Sequence, residues 1–400
     1  MTYPEILQST VTQEERVLVQ QRKQQLFIGV PKEAHFQENR VALTPESVAL
    51  LVNNGHKIVV ETGAGKNANF TDRDFSEAGA EIAYTTKRVF EANIIVKVAP
   101  LALNEMVHTQ LNQIIFSALH LPTVGKNYLE ALMQRKITAL AYEYLKDEAG
   151  AYPIVRAISE IAGNASLLIA AEYLSRTNNG QGLLLGGISG VPPARVVILG
   201  AGVVGEFATR TALGLGAEVR VFDNSIYKLM RLQNNVNVRV FTSIINPNTL
   251  LNELKHADVA IGAIHSGAGR TPTIVTEEMV SQMRPGSVIV DVSIDQGGCF
   301  ETSKITTHEH PVFVKHGVTH YCVPNIPSRV SKTASSALSH VLTPILLKAE
   351  RYGNLDAMLI NNPGTRFGIY IYKGALTNKH LGSRFDIAFT PIDLLMTSIQ

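Results

Sequence analysis

The residues best suited to chemistry stand in a few short stretches of the chain. In Ala194–Asp223, Gly200, Gly202 and Gly205 follow directly on the apolar, mostly β-branched run Val196–Leu199, in the spacing G-x-G-x-x-G. A helical stretch then runs from Val203 to about Leu215, and a second strand, Glu218–Phe222, ends on Asp223. Each part has a mechanical reason. Gly200 permits a tight turn, Gly202 lets a pyrophosphate approach the backbone, and Gly205 lets helix and strand pack closely. The helix N-terminus, opened by Val203 and Val204, offers unpaired N–H groups and a positive dipole end to phosphates. Asp223 is placed to accept hydrogen bonds from adenosine ribose hydroxyls, which suits NAD rather than its 2′-phosphorylated form. Strand, glycine turn, helix, strand and acid in one register predict a dinucleotide site.

The other candidates are single side chains near strand ends. Asp295, in Asp291–Glu301, follows a buried strand and precedes Gly297 and Gly298. It either stabilises a turn or presents a carboxylate at a sheet edge. Arg40 is either a surface ion-pair partner or a bidentate clamp for a substrate carboxylate. His120 is either structural or an acid/base group with a pKa near working pH. Glu143 and Lys97 could pair with another charge or meet substrate. His308 and His310 form an H-x-H with no third ligand in view, so no metal site is expected.

The elements that must position these groups read as alternating strands and helices. Leu26–Glu33, His56–Gly65, Ala92–Val98, Ile114–His120 and Ile137–Leu145 are strands or strands with their turns, and Thr44–Pro45 open a helix. Ser159–Arg176 is a long helix leading towards the dinucleotide motif. Beyond Asp223 the pattern repeats through Val236–Ser243, a helix at Asn248–Lys255, then Ala257–Ile264 and Ser287–Ser293. Ser331–Tyr352 is a second long helix, which Pro344 should kink. The expected architecture is α/β, with two Rossmann-like domains of parallel sheets joined by two long helices around a cleft. Residues 1–155 with 332–400 form a substrate domain and residues 156–331 the NAD-binding domain. Residues 4–25 suggest a Gln-rich amphipathic helix that packs on the domain or on a neighbouring subunit.

Bulk composition narrows the function classes. The 400 residues are 45% hydrophobic and 18% charged, with a net charge of +2, which leaves no polyelectrolyte face for nucleic acid. Two cysteines without a C-x-x-C suit a reducing compartment, and the polar N-terminus lacks a signal core. No uninterrupted apolar run reaches membrane-span length. A cytoplasmic protein without a membrane partner is expected.

The stretches GVPKE, ENRVALTP, ALHL, AYE, SEIAGN, VVILGAGVVG, MRPGSVIVDVSIDQGGCFE and YCVPNIPS together resemble the alanine dehydrogenases, over most of the chain from Ile28 to the tail. The resemblance implies an NAD-dependent homohexamer that interconverts L-alanine with pyruvate and ammonia. It implies that Arg40 binds the substrate carboxylate, and that His120 and Asp295 are catalytic, with Asp295 beside the nicotinamide. It further implies cofactor contacts at Ser159, Gly200, Gly202, Val203, Val204, Gly205, Asp223, Lys228, Ile264, His265, Val292, Asp295, Val323, Asn325 and Ile326.

One departure bears on the chemistry. The family has a strand ending K-V-K-E-P, whose second lysine contacts substrate. This chain reads Lys97-Val98-Ala99-Pro100, with Ala99 at that position. Lys97 lies on the same face of a strand as position 99, so it is the candidate substrate-binding replacement. K-V-A-P also resembles the K-V-N-A-P of a transhydrogenase subunit that binds NAD(H) without substrate chemistry. Two alternatives therefore stand beside alanine deamination: an NAD(H)-binding relative with lost or altered chemistry, and a dehydrogenase of the same fold for another amino acid.

Overall fold

The computed structural model describes residues 25–397 except 36, 122–123, 267–268 and 353. The expected helix at 4–25 therefore lies, apart from Gln25, outside the described residues. Two sheets dominate. The first contains β1 (Phe27–Val30), β2 (Lys57–Glu61), β3 (Glu81–Ala83), β4 (Ile94–Val96), β5 (Ile114–Ser117) and β6 (Thr138–Ala141). The second contains β7 (Arg195–Leu199), β8 (Glu218–Phe222), β9 (Phe241–Ser243), β10 (Val259–Gly262), β11 (Val288–Asp291), β12 (Val312–Lys315) and β13 (Val318–Tyr321). The tail returns β14 (Ile369–Tyr372) and β15 (Ala375–Leu376) to the first sheet. Strand orders are β15-β14-β6-β5-β4-β1-β2-β3 and β12-β13-β11-β10-β7-β8-β9.

The sheets are not wholly parallel, as had been expected. β12 pairs antiparallel with β13, and β14 pairs antiparallel with both β6 and β15. The reason is connection length. A turn at His316–Gly317, both at positive φ, closes a hairpin and leaves no room for a crossover. Strand β3 was not anticipated, and the run expected at Val236–Ser243 shrinks to Phe241–Ser243 because a helix, Ile226–Val236, takes its first part. Inner strands β4, β6, β10 and β11 are buried at every residue. That matches their continuous apolar runs, since helices cover both faces of a parallel sheet.

Strand order reverses between β1 and β4 in one sheet and between β7 and β10 in the other. Ligands of open α/β sheets sit at such switch points, outside the carboxyl ends of the strands. Arg40 follows β1, Lys97 follows β4, His120 follows β5 and Glu143 follows β6. Gly200 follows β7, His265 follows β10 and Asp295 follows β11.

Two long helices link the sheets. Pro153–Leu174 begins earlier than the expected Ser159, because Pro153 suits a first turn where its missing N–H costs nothing. This helix is long and apolar enough to cross a membrane by length and composition. Its apolarity serves a core instead: Leu167, Ile169, Ala170 and Leu174 are buried with β7, β8, β10 and β11. Ser331–Arg351 runs without interruption through Pro344. Its Ser335 and Ser339 hydroxyls accept the N–H groups of Val41 and Thr44, at 2.9 and 3.0 Å, and so hold the segment after Arg40. Thr44 sits at the N-cap position as expected, yet its hydroxyl makes no cap bond and lies 3.4 Å from Ser339 Oγ.

Two predictions follow from this packing. A Cβ at Gly163 would lie 2.5 Å from the Val204 carbonyl and 2.9 Å from Phe207 Cβ, where the first long helix crosses Val203–Gly214. Gly163→Ala should cost about 1–3 kcal/mol in urea unfolding, as overpacking does, whereas Gly125→Ala, with open space around it, should stay within about 0.5 kcal/mol. His320 is buried on β13, stacked 4.8 Å from Phe313, with Nε2 2.8 Å from Thr302 Oγ1 and Nδ1 2.9 Å from the Val318 carbonyl. Burial lowers its pKa to about 4. The unfolded chain then takes up a proton that the folded chain refuses. Stability should fall as pH drops from about 6.5 towards 4, and His320→Asn should flatten that slope in pH-dependent thermal melts.

Candidate active site

On the nucleotide side, Gly200 has φ +109, and its N–H donates to the Phe222 carbonyl at 2.7 Å. A Cβ at Gly205 would stand 1.8 Å from the Gly200 carbonyl oxygen, while nothing lies within 4 Å of one at Gly202. Gly205 is thus a packing glycine, and Gly202 leaves open room in front of the helix that starts at Val203. Asp223 accepts the Ala201 and Ser225 N–H groups at 2.8 and 2.7 Å and so ties the second strand end to the glycine turn. A carboxylate has about four lone-pair sites, so capacity remains for ribose hydroxyls. The exposed Lys228 ammonium lies 4.0 Å from Asp223 Oδ2.

The loop that carries Asp295 is anchored by Asp291, which is fully buried at the end of β11. Asp291 accepts from the N–H groups of Ser293 and Cys299, both at 3.0 Å, and from Ser303 Oγ at 2.6 Å. Ser293 Oγ in turn accepts the Ile264 N–H at 2.9 Å, and Gln296 Oε1 accepts the Ser266 N–H at 3.2 Å. The loops after β10 and β11 are therefore tied together by hydrogen bonds. Between them opens a cavity of about 260 Å³ lined by Ser159, Val204, Ile264, His265, Val292, Asp295 and Ile326, among others. Its mixture of branched apolar side chains with the polar groups of Ser159, Ser293, His265, Gln296 and Asp295 suits a flat heteroaromatic ring with a polar substituent. Val323 is buried two residues beyond β13, outside the residues lining this cavity.

His265 and Asp295 also line a larger cavity of about 780 Å³. Its other wall comes from the first sheet's domain, through Leu121, Glu143, Tyr144 and Arg384. The cleft thus joins a nucleotide side to a side built on β5 and β6. Asp295 is exposed to the cleft, yet desolvation by the surrounding walls raises its pKa, against the Asn325 N–H donated at 3.0 Å and the Arg40 charge. His120 moves the other way: though it is exposed, desolvation by its neighbours, the Arg40 charge and His35 lower its pKa. One group is therefore biased to keep a proton and the other to lack one, which is the pattern of an acid/base pair.

Glu38 and Tyr142 complete the site without having been singled out in the sequence, beside Glu143, which the sequence had left open between ion pairing and substrate contact. Glu38 grips Arg40 along one edge of the guanidinium, at 2.7 Å from Nε and 2.6 Å from Nη2, with both side chains nearly sealed from solvent. Glu143 Oε1 accepts the Leu119 and His120 N–H groups at 2.8 and 3.3 Å. His120 has φ +49, a backbone state that a side chain other than glycine enters at a cost, and these bonds hold it there. Tyr142 donates its hydroxyl to the Val98 carbonyl. Glu38 could have been suspected from its place two residues before Arg40; Tyr142 carried no such signal.

Lys97 corrects an expectation. Its ammonium is fully buried, 2.9 Å from Glu105 and 3.2 Å from Glu33, and it was expected to meet substrate. Glu33 also accepts the Val98 and Ala99 N–H groups, at 2.5 and 3.3 Å. Two carboxylates consume the charge, so Lys97 braces the Lys97–Pro100 turn and does not replace the lysine missing at Ala99. His308 lies beside the Asn325 backbone, with a buried Nε2 that has no hydrogen-bond partner among the described residues, and burial lowers its pKa. Among the described residues no three or more His, Cys, Asp or Glu side chains are grouped to hold a metal ion.

Removing one member of a buried ion-pair network leaves uncompensated charge. Lys97→Met should therefore destabilise the fold by about 3–5 kcal/mol in urea unfolding at neutral pH. Adding Glu33→Gln and Glu105→Gln to it should recover much of that loss.

Comparison with known proteins agrees with this geometry. Residues 29–162 match the family model "Alanine dehydrogenase/PNT, N-terminal domain", and residues 166–379 match "Alanine dehydrogenase/PNT, C-terminal domain". The chain is 39% identical over 367 residues to alanine dehydrogenase 2 of Staphylococcus aureus, covering 92% of this chain and 98% of that protein. A solved L-alanine dehydrogenase superposes with TM-score 0.84 at 39% identity, over 90% of this chain and 99% of that one. A transhydrogenase from Sinorhizobium meliloti, with TM-score 0.76 at 23% identity over 88% and 99% of the two chains, shares the fold. By sequence along nearly its whole length and by structure, the chain belongs to the alanine dehydrogenase/PNT family.

Proposed function

We propose that this protein is an NAD-dependent dehydrogenase that interconverts L-alanine with pyruvate and ammonia. The observation that carries the reading is the hydrogen-bonded run from Arg40 through Glu38 and Asn325 to Asp295, which lines both cavities against the dinucleotide fold, with the Arg40 charge also felt at His120. Residues 156–331 form the NAD-binding domain in this reading, and residues 1–155 with 332–400 the substrate domain.

Glu38 occupies the Nε/Nη2 edge of Arg40, and no hydrogen bond to Nη1 is made among the described residues. The Nη1/Nη2 edge is therefore available for a bidentate bond to the substrate carboxylate. That anchor orients Cα towards the cavity bounded by Ile264, His265 and Asp295. NAD⁺ held by the Gly200–Gly205 turn, Asp223 and the cavity at Ile264 and Val292 would supply the hydride acceptor for Cα, which would leave the amino acid as an imine. His120, biased towards its neutral form, takes a proton from the water that attacks the imine carbon. Asp295, biased towards its protonated form, supplies a proton to the departing ammonia. Asp223 suits the unphosphorylated ribose of NAD.

Leu184, Ile188 and Val191 stand more than half exposed on one loop before β7, which supports assembly into a homo-oligomer, a hexamer by family resemblance. Both cysteines are free and buried, in keeping with a cytoplasmic setting.

The test is NADH absorbance with L-alanine plus NAD⁺, and with pyruvate, ammonium and NADH in reverse. Turnover is expected, and Arg40→Lys should lower kcat/KM for alanine by roughly ten- to a hundredfold, because a lysine keeps the charge and loses the fork. Protein that binds NADH yet turns over no alanine would overturn the reading. Recovery of activity in Ala99→Lys would then identify a family member that has lost this reaction. That second reading is favoured by one fact: Lys97 is sealed between carboxylates.

A further inference from the structure

The anchor for the substrate and the carboxylate for the chemistry sit on different domains, yet one hydrogen-bonded chain joins them. Glu38 holds Arg40 by Nε and Nη2, and also accepts the Arg40 backbone N–H at 3.1 Å. The Asn325 side-chain amide donates to Glu38 Oε2 at 3.0 Å, across 287 residues of sequence. The backbone N–H of the same Asn325 donates to Asp295 Oδ1, also at 3.0 Å. Asn325 sits at φ +57 and ψ +46, and that left-handed turn directs its two donors to two different carboxylates. Ser328, one turn on, fastens the same seam. Its hydroxyl accepts the Asn39 N–H at 2.8 Å and donates to the Gln37 carbonyl at 2.7 Å.

We propose that Glu38 is a positioning residue that, through Asn325, sets Arg40 and Asp295 in register across the interdomain cleft. This rests on the function proposed above, in which Arg40 binds the substrate carboxylate and Asp295 handles a proton. Glu38 gives the guanidinium one fixed orientation, and its second oxygen reports that orientation to the opposite domain. Closing the Gln37–Arg40 segment onto Asn325–Ser328 places both groups at once.

A rival arrangement uses the same contacts. Glu38 could stand in for the substrate carboxylate and be displaced by it, so that it competes with binding. The two differ in sign. If Glu38 positions Arg40, Glu38→Gln raises KM for alanine about tenfold or more, because the neutral amide no longer fixes the fork. If Glu38 competes, the same change lowers KM.

The experiment is steady-state kinetics of Glu38→Gln, Glu38→Asp, Asn325→Gly and the Glu38→Gln/Asn325→Gly double variant, with NADH binding followed by fluorescence. Glycine at position 325 keeps the left-handed backbone and removes only the amide. Positioning predicts a higher alanine KM and a lower kcat in Glu38→Gln, with NADH affinity unchanged. It predicts partial rescue in Glu38→Asp, and a double variant no worse than about the poorer single one, since both changes cut one chain. Unchanged or lowered KM in Glu38→Gln overturns the proposal, and so does full additivity. If Glu38→Gln does not fold, Asn325→Gly decides: raised alanine KM at saturating NAD⁺ supports the chain, and an unchanged value overturns it. Absence of alanine turnover in the unsubstituted protein is a failure of the proposed function instead, and is told apart by that measurement alone.

Discussion

A carboxylate withdrawn from water must find donors, and this cleft is built by carboxylates meeting that demand at the ends of strands. Asp291 collects three backbone N–H groups and a serine hydroxyl and thereby shapes the loop that presents Asp295. Asp223 binds the glycine turn to the next strand. Glu33 takes the backbone of the turn after β4, and Glu143 takes the backbone around His120. Glu38 takes Arg40. In each case the acid consumes N–H groups that a loop outside a sheet would otherwise leave unpaired. The loops become rigid enough to hold side chains at reacting geometry.

The same demand separates groups that carry structure from groups that face substrate. Lys97 has two carboxylates and no access, so its charge is spent within the wall. Arg40 has one carboxylate along one edge, and a planar fork with five donors keeps capacity on the other. Asp295 has, among the described residues, one backbone donor and a remote positive charge, too little to offset desolvation by the cleft walls, so its pKa rises. His120 feels desolvation by its neighbours and that same positive charge, so its pKa falls. Opposite shifts in two groups under one guanidinium are a property of the assembled cleft and of no single loop.

The expected and observed folds agree where local chemistry is self-contained. The dinucleotide motif was legible because every glycine in it answers a local demand: a turn at positive φ, an open approach, and a contact between helix and strand. The inner strands were legible because burial on both faces requires unbroken apolar runs. Antiparallel β12, β14 and β15 were missed, since strand direction depends on how a connection returns, and β-propensity is the same either way. The apolar helix Pro153–Leu174 shows a related ambiguity, for a core helix and a membrane span share one composition, and only neighbours tell them apart.

By itself, then, the sequence determined the α/β class, the nucleotide turn with its acid, and the residue types available for carboxylate binding and proton transfer. Those follow from interactions within a few residues, where spacing sets geometry. Only the tertiary structure decided that Lys97 is a brace, that Glu38 holds Arg40, and that Asn325 touches carboxylates on two domains. Those contacts bridge up to 287 residues of chain, and a side chain's role there is set by which partner reaches it first when water is excluded.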